Sequence, residues 1–351
     1  MVDKKKDGLT RRDFVKGAAA GLGGAAVLGF PGIVKAQGKV IKWRMQNSYP
    51  STVEAGKFAT TWAKSITELT GGRLTVEYNE PGAIVPFSET FQSVSNSTID
   101  CTVSFATFYR GIIPESDIEV GLPFAWVRPE EAHDAYYHLG LLEEFRKIYA
   151  EHNVFYICPT YCNIYYGMHT VKPVRKPSDF KGMKMRDMGI SAEWLAHYGA
   201  APTTLPAGEM YMALKMKTID GVHYGAKVLD DLKLGEVCKY FLIEPNPGTT
   251  VMNLFCSMKS YNALPDDLKK IVKDFSLPLV LPVVVGWDEN KALVSIQKKY
   301  GVEVVRWSKK DSDESRAYMI EKLWPKVGAK SARCKKLVDI VTAQAKTYGK
   351  V

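Results

Sequence analysis

The chain has 351 residues, 46% hydrophobic and 24% charged, which is the composition of an ordinary globular protein of roughly two domains by the ~150-residue prior. Disorder, collagen, coiled coil and a polytopic membrane protein are poor fits to it. The formal net charge of +9 invites a nucleic-acid reading, but the first 36 residues hold seven basic and three acidic side chains of that balance. No run of Lys and Arg with interleaved aromatics follows, so a phosphate track is not expected.

Residues 1–36 read as a removable export signal: a basic start, then Thr10-Arg11-Arg12-Asp13-Phe14-Val15-Lys16, an uncharged stretch from Gly17 to Val34, and Val34-Lys35-Ala36 suited to cleavage after Ala36. The Arg-Arg pair before Asp-Phe resembles the twin-arginine class of signal. A membrane anchor competes, but the stretch is rich in Gly and Ala and weakly hydrophobic. Gly21-Leu-Gly23 mimics a dinucleotide fingerprint, yet it follows no strand. The mature protein is expected to be soluble and periplasmic.

From Val40 onward, strand-like and helix-like periods alternate. Ile41, Trp43 and Met45 alternate with polar residues; Phe58, Trp62, Ile66 and Leu69 recur at helical spacing, and Gly71-Gly72 stops that helix. Leu74, Val76 and Tyr78 predict a second strand, Phe87, Phe91 and Val94 a helix, and Cys101–Phe105 a third strand. A helix is predicted over about 129–150, then strands at Val154–Cys158, Met183–Arg186, Thr203–Leu205, Ile219–Tyr224 and Tyr240–Ile243, with helices between them, one at Gly208–Lys217. A helical tail runs from Ser312 to Tyr348 and can pack on its own lobes or swap onto a second copy, so a homodimer is open. The fold class expected is α/β, periplasmic-binding-protein-like: two α/β lobes with mostly parallel sheets around a ligand cleft and several crossings between lobes. The expected division is 38–163 plus 252–288 for the first lobe and 164–251 plus 289–351 for the second with the C-terminal helices.

Enzyme signatures are mostly missing. His133, His138, His152, His169, His197 and His223 form no H-E-x-x-H or H-x-x-x-H pair, and neither a G-x-S-x-G elbow nor a Walker loop occurs. Six cysteines permit three bridges, but Cys101, Cys158 and Cys256 lie in apolar strand-like runs, where a thiol is most often a small buried hydrophobe. Cys158-x-x-x-Cys162 is the pair to check.

The informative region is Lys172–Asp231. It contains Asp179-Phe-Lys-Gly182-Met-Lys184-Met-Arg186, Pro202-Thr-Thr-Leu-Pro206-Ala-Gly208-Glu209, Ile219-Asp220-Gly221-Val-His223-Tyr224 and Asp231-Leu-Lys-Leu-Gly235. With Leu122-Pro-Phe124 and Tyr261-Asn-Ala-Leu264-Pro265 in the same order, the chain resembles the solute-binding subunits of TRAP transporters, the DctP-type family, over nearly its whole mature length. Within it, the branch that binds 2-oxo and hydroxy monocarboxylates is the most similar. The resemblance implies a non-enzymatic protein that closes two lobes on a small organic anion and delivers it to a membrane permease.

Independently of the family, Arg186 ends a short apolar strand, where open α/β sheets place ligands, and its planar fork matches a carboxylate. An ion pair with a neighbouring acid is the plain alternative; the resemblance places the family's anchoring arginine at this position. Carried over on the motifs, Tyr165, His223-Tyr224 and Asn253 occupy positions that hold the ligand, and in some relatives a metal ion. Tyr, His and Tyr are poor ligands for a hard cation, which speaks against a bridging sodium or calcium ion, and no other cofactor is expected. Asp187 is a candidate acceptor for a ligand hydroxyl or ammonium group, unless strand alternation turns it away. Tyr109, Phe124, Tyr165, Tyr166 and Trp194 are candidate aromatic walls. The rival readings are a Tat-exported redox enzyme, a binder of sulfonates, and a binding protein serving a chemoreceptor.

Overall fold

The computed structural model describes residues 39–161, 166–285 and 289–351, with side chains except at 279–285, 289–290 and 292. The export-signal reading of residues 1–36, Cys162 and Tyr165 lie outside the described residues.

Two sheets organise the chain. The first is built from β1 (Ile41–Gln46), β2 (Leu74–Asn79), β3 (Cys101–Ser104), β4 (Val154–Tyr161) and β10 (Val251–Ser257), in the order β2-β1-β3-β10-β4. The second comprises β5 (Tyr166–Thr170), β6 (Lys184–Arg186), β7 (Ala201–Thr203), β8 (Gly221–Gly225), β9 (Tyr240–Glu244) and β11 (Glu303–Arg306), ordered β11-β9-β5-β8-β6-β7. The sheets are mostly parallel, and each has one strand that runs against its neighbours: β10 against β3 and β4, β5 against β8 and β9. Both come directly after a strand of the other sheet with no helix between them among the described residues, whereas β11 also follows a strand of the other sheet but is fed by a helix and runs parallel to β9. A chain arriving from the opposite lobe enters at the cleft and must run away from it, whereas strands fed by a helix within a lobe run towards it.

The helices that matter are α1 (Glu54–Leu69), α2 (Pro129–Tyr137), α3 (Leu141–Ala150), α4 (Gly189–His197), α5 (Asp266–Val285), α6 (Glu289–Tyr300), α7 (Lys309–Tyr318) and α8 (Ala332–Thr347). In α1, Phe58, Ala59, Trp62 and Ile66 recur at helical spacing and are all buried, and the helix packs against β2 and α5. Trp62 Nε1 donates to Ser276 Oγ of α5 at 2.8 Å, so the indole is buried without an unpaired donor. The single helix predicted over 129–150 is two, α2 and α3. Gly140, at φ 89°, caps α3 from the left-handed region, a conformation that glycine adopts without the Cβ penalty.

The C-terminal tail does not belong to one lobe. Trp194 of α4 donates to Ser315 Oγ of α7 at 2.8 Å, whereas Trp126 donates to Gln344 Oε1 of α8 at 2.8 Å and Trp324 to the Pro123 carbonyl at 3.1 Å. The tail therefore lies on its own chain and straddles both sheets. Cys101, Cys158, Cys238, Cys256 and Cys334 are buried free thiols, and burial pushes the thiols of Cys158 and Cys238 up to about 12.

Candidate functional site

A narrow cleft lies between the two sheets. Its floor comes from the carboxyl ends of two adjacent parallel strands of the second sheet. Arg186, the last residue of β6, stands opposite Val222 of β8, which puts Asp187 and His223 side by side one residue further on. All three are deeply buried, at 3% exposure for Arg186, 5% for Asp187 and 3% for His223.

Arg186 is held at two points: Nε donates to the Leu205 carbonyl at 3.1 Å and Nη1 to the His223 carbonyl at 3.4 Å. Its guanidinium carbon lies 5.7 Å from the centre of the Tyr224 ring, within cation–π range. Among the described residues no carboxylate comes within ion-pair distance of it. A guanidinium cannot shed its proton in a protein, so a buried one that faces a cleft without an acid partner carries charge that an anion can meet.

Asp187, the nearest acid in sequence, is committed elsewhere. Its Oδ2 lies 3.0 Å from His223 Nδ1, and its Oδ1 accepts from the Met188 amide at 2.7 Å. His223 Nε2 is buried with no partner among the described residues. Tyr166 meets the His223 ring edge-on at 4.5 Å. Beneath them, His169 Nε2 lies 3.1 Å from the Tyr224 carbonyl and its ring stacks on Phe241 at 4.3 Å. Burial pushes His169 down to about 3, so it stays neutral and steadies the end of β8.

The first lobe contributes an apolar roof of Tyr49, Val53, Phe105, Phe108, Val120 and Met252, with Thr107. The lobes touch at both rims. On one rim Lys57 of α1 pairs with Asp231 at 3.3 Å; Lys227 also reaches Asp231, at 2.7 Å, and Glu54 lines the cleft beside them. Desolvation pushes Glu54 up to about 7, against the opposing pull of Lys227. On the other rim Asp117, almost wholly buried, accepts from the Ile190 amide at the start of α4 at 3.3 Å and from Lys330 at 2.6 Å. Gly189 permits this approach: its φ is 65°, and a Cβ there would stand 2.6 Å from Asp117 Oδ1 and 2.7 Å from Thr107 Cγ2.

Of the residues expected from sequence, Arg186, Asp187, His223, Tyr224 and Tyr166 line the cleft together. Asn253 and Tyr109 do not. Asn253 Nδ2 lies among the Tyr109 hydroxyl at 2.6 Å, the Tyr149 hydroxyl at 2.7 Å and the Glu119 carboxylate, inside the first lobe. The reason is strand alternation: Met252 of β10 faces the cleft, so its neighbour Asn253 faces away. Tyr109 ends the turn Ala106–Tyr109, from which Thr107 and Phe108 line the cleft, and it stacks on Phe91 at 4.4 Å. Phe124 and Trp194 are core residues as well. Sequence reasoning missed Tyr49, Glu54, Phe108, Asp117 and Lys227, all of which stand on turns or helix ends with no periodic signal. Asp231 was visible only as part of a motif.

A family model described as DctP, bacterial extracellular solute-binding protein, family 7, matches residues 46–330. The chain is 28% identical over 252 residues to a monocarboxylate 2-oxoacid-binding periplasmic protein of Nostoc sp., an alignment that covers 71% of this chain and 68% of that protein. Its fold is similar to that of a TRAP periplasmic solute binding protein from Chromohalobacter salexigens with bound (S)-(+)-2-amino-1-propanol: TM-score 0.81, 20% identity, 89% of this chain and 98% of that one. It is equally similar, at TM-score 0.81 and 22% identity over 88% and 95% of the chains, to one from Pseudoalteromonas atlantica with bound sodium and pyruvate. A model that spans most of the chain, on a fold with two sheets facing a cleft, makes this protein a member of the DctP family of bacterial extracellular solute-binding proteins.

Proposed function

We propose that the protein captures a small organic acid anion between its lobes, holds the carboxylate on Arg186, and hands the ligand to a TRAP-type membrane permease on the outer side of the cytoplasmic membrane. The observation that carries this reading is the buried, acid-free guanidinium at the strand ends of an open cleft. The apolar roof suits a short carbon skeleton, and a bidentate, charge-assisted pair on the floor fixes its orientation. Closure follows from differential affinity: a ligand that touches both the floor and the roof binds the shut form better than the open one, and only that difference shifts the equilibrium. The relative from Nostoc sp. named for 2-oxoacids, and the pyruvate-bound neighbour, point to 2-oxo or 2-hydroxy acids as the class.

Sodium and calcium accompany the ligand in some neighbours. Here the donors beside Arg186 fit such an ion poorly. They are an imidazole and a phenol ring, Asp187 is spent on His223 and Met188, and Asn253 is turned away from the cleft. Hard cations take carboxylate and carbonyl oxygens, so we assign direct binding of the anion. Nothing in this arrangement performs a reaction, and we read the protein as a carrier rather than an enzyme, exported by the twin-arginine-like segment.

Calorimetry with a panel of 2-oxo and 2-hydroxy acids tests the reading. Micromolar binding is expected for at least one, unchanged after chelator treatment in sodium-free buffer, and at least ~100-fold weaker in Arg186→Ala. Near-native affinity in a folded Arg186→Ala protein would remove Arg186 from the site.

A further inference from the structure

We propose that Asp187 and His223 form a dyad that selects the second group of the ligand: a hydrogen-bond donor on the carbon next to the carboxylate, as in a 2-hydroxy acid, in place of the oxo group of a 2-oxo acid. The inference rests on the reading of Arg186 as the carboxylate anchor.

An ionised carboxylate only accepts hydrogen bonds, so the 3.0 Å contact between Asp187 Oδ2 and His223 Nδ1 places the imidazole proton on Nδ1. In the neutral ring, Nε2 is then a bare acceptor. That atom is buried, has no partner among the described residues, and belongs to a ring that lines the cleft. Arg186 and His223 line the same cleft, and Arg186 Nη1 donates to the His223 carbonyl at 3.4 Å, so an anion on the guanidinium sits beside this residue. A hydroxyl there donates to Nε2 and satisfies a buried acceptor. An oxo group sets lone pair against lone pair and leaves two buried acceptors unpaired, the situation in which polar sites discriminate most strongly. Asp187 acts through His223 and is a positioning residue.

The Met188 amide makes the role of Asp187 testable, because it fixes which way an amide would sit in its place. In Asp187→Asn the side-chain oxygen stays on the Met188 N–H, the site now filled by Oδ1 at 2.7 Å. The NH2 group then faces His223 Nδ1, which must become the acceptor, and the proton moves to Nε2. The selector changes from acceptor to donor while the shape of the site is kept.

The experiment is calorimetric titration at pH 8. Lactate (both enantiomers) is compared with pyruvate, and 2-hydroxybutyrate with 2-oxobutyrate, in the wild type, Asp187→Asn and His223→Phe, each checked for an unchanged melting curve. The wild type is expected to favour the hydroxy acid by about tenfold or more. Asp187→Asn reverses the preference, and His223→Phe brings the ratio to about one. Equal or tighter binding of the oxo acids by the wild type, or a ratio untouched by either substitution, overturns the dyad and leaves the Arg186 anchor standing. Failure of all these acids to bind overturns both.

Discussion

The cleft floor and the cluster around Glu119 are both made of buried polar side chains, and they dispose of an ionisable group in opposite ways. Inside the first lobe the Glu119 carboxylate meets the amide of Asn253 and accepts from the Tyr149 hydroxyl at 2.7 Å, while Tyr109 and Tyr149 lie 2.6 Å apart. Burial pushes that carboxyl up to about 8, so the cluster holds a proton rather than a charge at neutral pH. Arg186 has no such escape, since its charge is permanent. One region is sealed inside its lobe, where Asn253 Oδ1 goes without a partner among the described residues; the other keeps a charge and a bare imidazole nitrogen beside a cleft, for something that arrives. A dense polar network therefore does not mark a binding site by itself. Unspent capacity facing a cavity does, and that criterion separates Arg186 and His223 from Asn253 and Tyr109.

Substituting the centre of each region gives the largest contrast. Arg186→Ala should lose at least ~100-fold in affinity while the chain stays folded. Asn253→Ala strips partners from two tyrosine hydroxyls and a carboxyl that water cannot reach, and should cost about 2–3 kcal/mol of stability with the affinity of the folded protein unchanged. Paired denaturant curves and titrations decide it. Loss of binding in a folded Asn253→Ala protein would return Asn253 to the site.

Next in size is a pH effect that belongs to the closed cluster alone. Glu119 is raised in the folded state to about 8 from an ordinary 4.5, so the unfolded chain releases its proton first as pH rises. Its contribution to stability is present below pH 4.5 and is lost between about 4.5 and 8, at up to ~1.4 kcal/mol per pH unit. Glu119→Gln should remove that slope and match or exceed the wild type at pH 8. His169 bounds the acid side: held near 3 by burial, it costs stability as pH falls below its ordinary 6.5, because the unfolded imidazole takes a proton that the folded one refuses. Urea titrations of both Glu119→Gln and the wild type from pH 5 to 8 read the difference. An unaltered slope in the variant would show that Glu119 is ionised in the fold.

How far the sequence discloses these regions depends on what each needs. Arg186 is visible because it ends an apolar strand within a motif, and strand ends are where such sheets place ligands. His223 and Tyr224 are reached only through the family resemblance of the motif around them, and they line the cleft. Asn253 is misplaced because a residue's face is decided by register: one step along β10 exchanges cleft for core, and a single sequence does not carry that parity, while Tyr109 closes a turn whose Thr107 and Phe108 face the cleft. The break between α2 and α3 hangs on one glycine inside an otherwise helical period, and the straddling tail depends on three indole donors finding partners far away in the chain. Asp117 and Glu54 give no periodic signal, since turns and helix ends bring them to the cleft.

The smallest expected effect probes the rims, where the two regions are joined mechanically. The pair between Lys57 and Asp231 crosses from α1 to the second lobe at 3.3 Å, with Lys57 48% exposed, and Asp231 is shared with Lys227. Solvent screens such a pair, which is worth about 0–1 kcal/mol, and Lys227 keeps Asp231 neutralised when Lys57 is gone. Lys57→Ala should accordingly weaken ligand affinity by no more than about fivefold, through a lower population of the shut form, and leave the preference between hydroxy and oxo acids untouched. Raising the salt concentration should reproduce part of the loss in the wild type and little of it in the variant. A change in ligand preference in Lys57→Ala would mean that the rim reaches the ligand itself, and the division between a selective floor and a purely mechanical rim would fail.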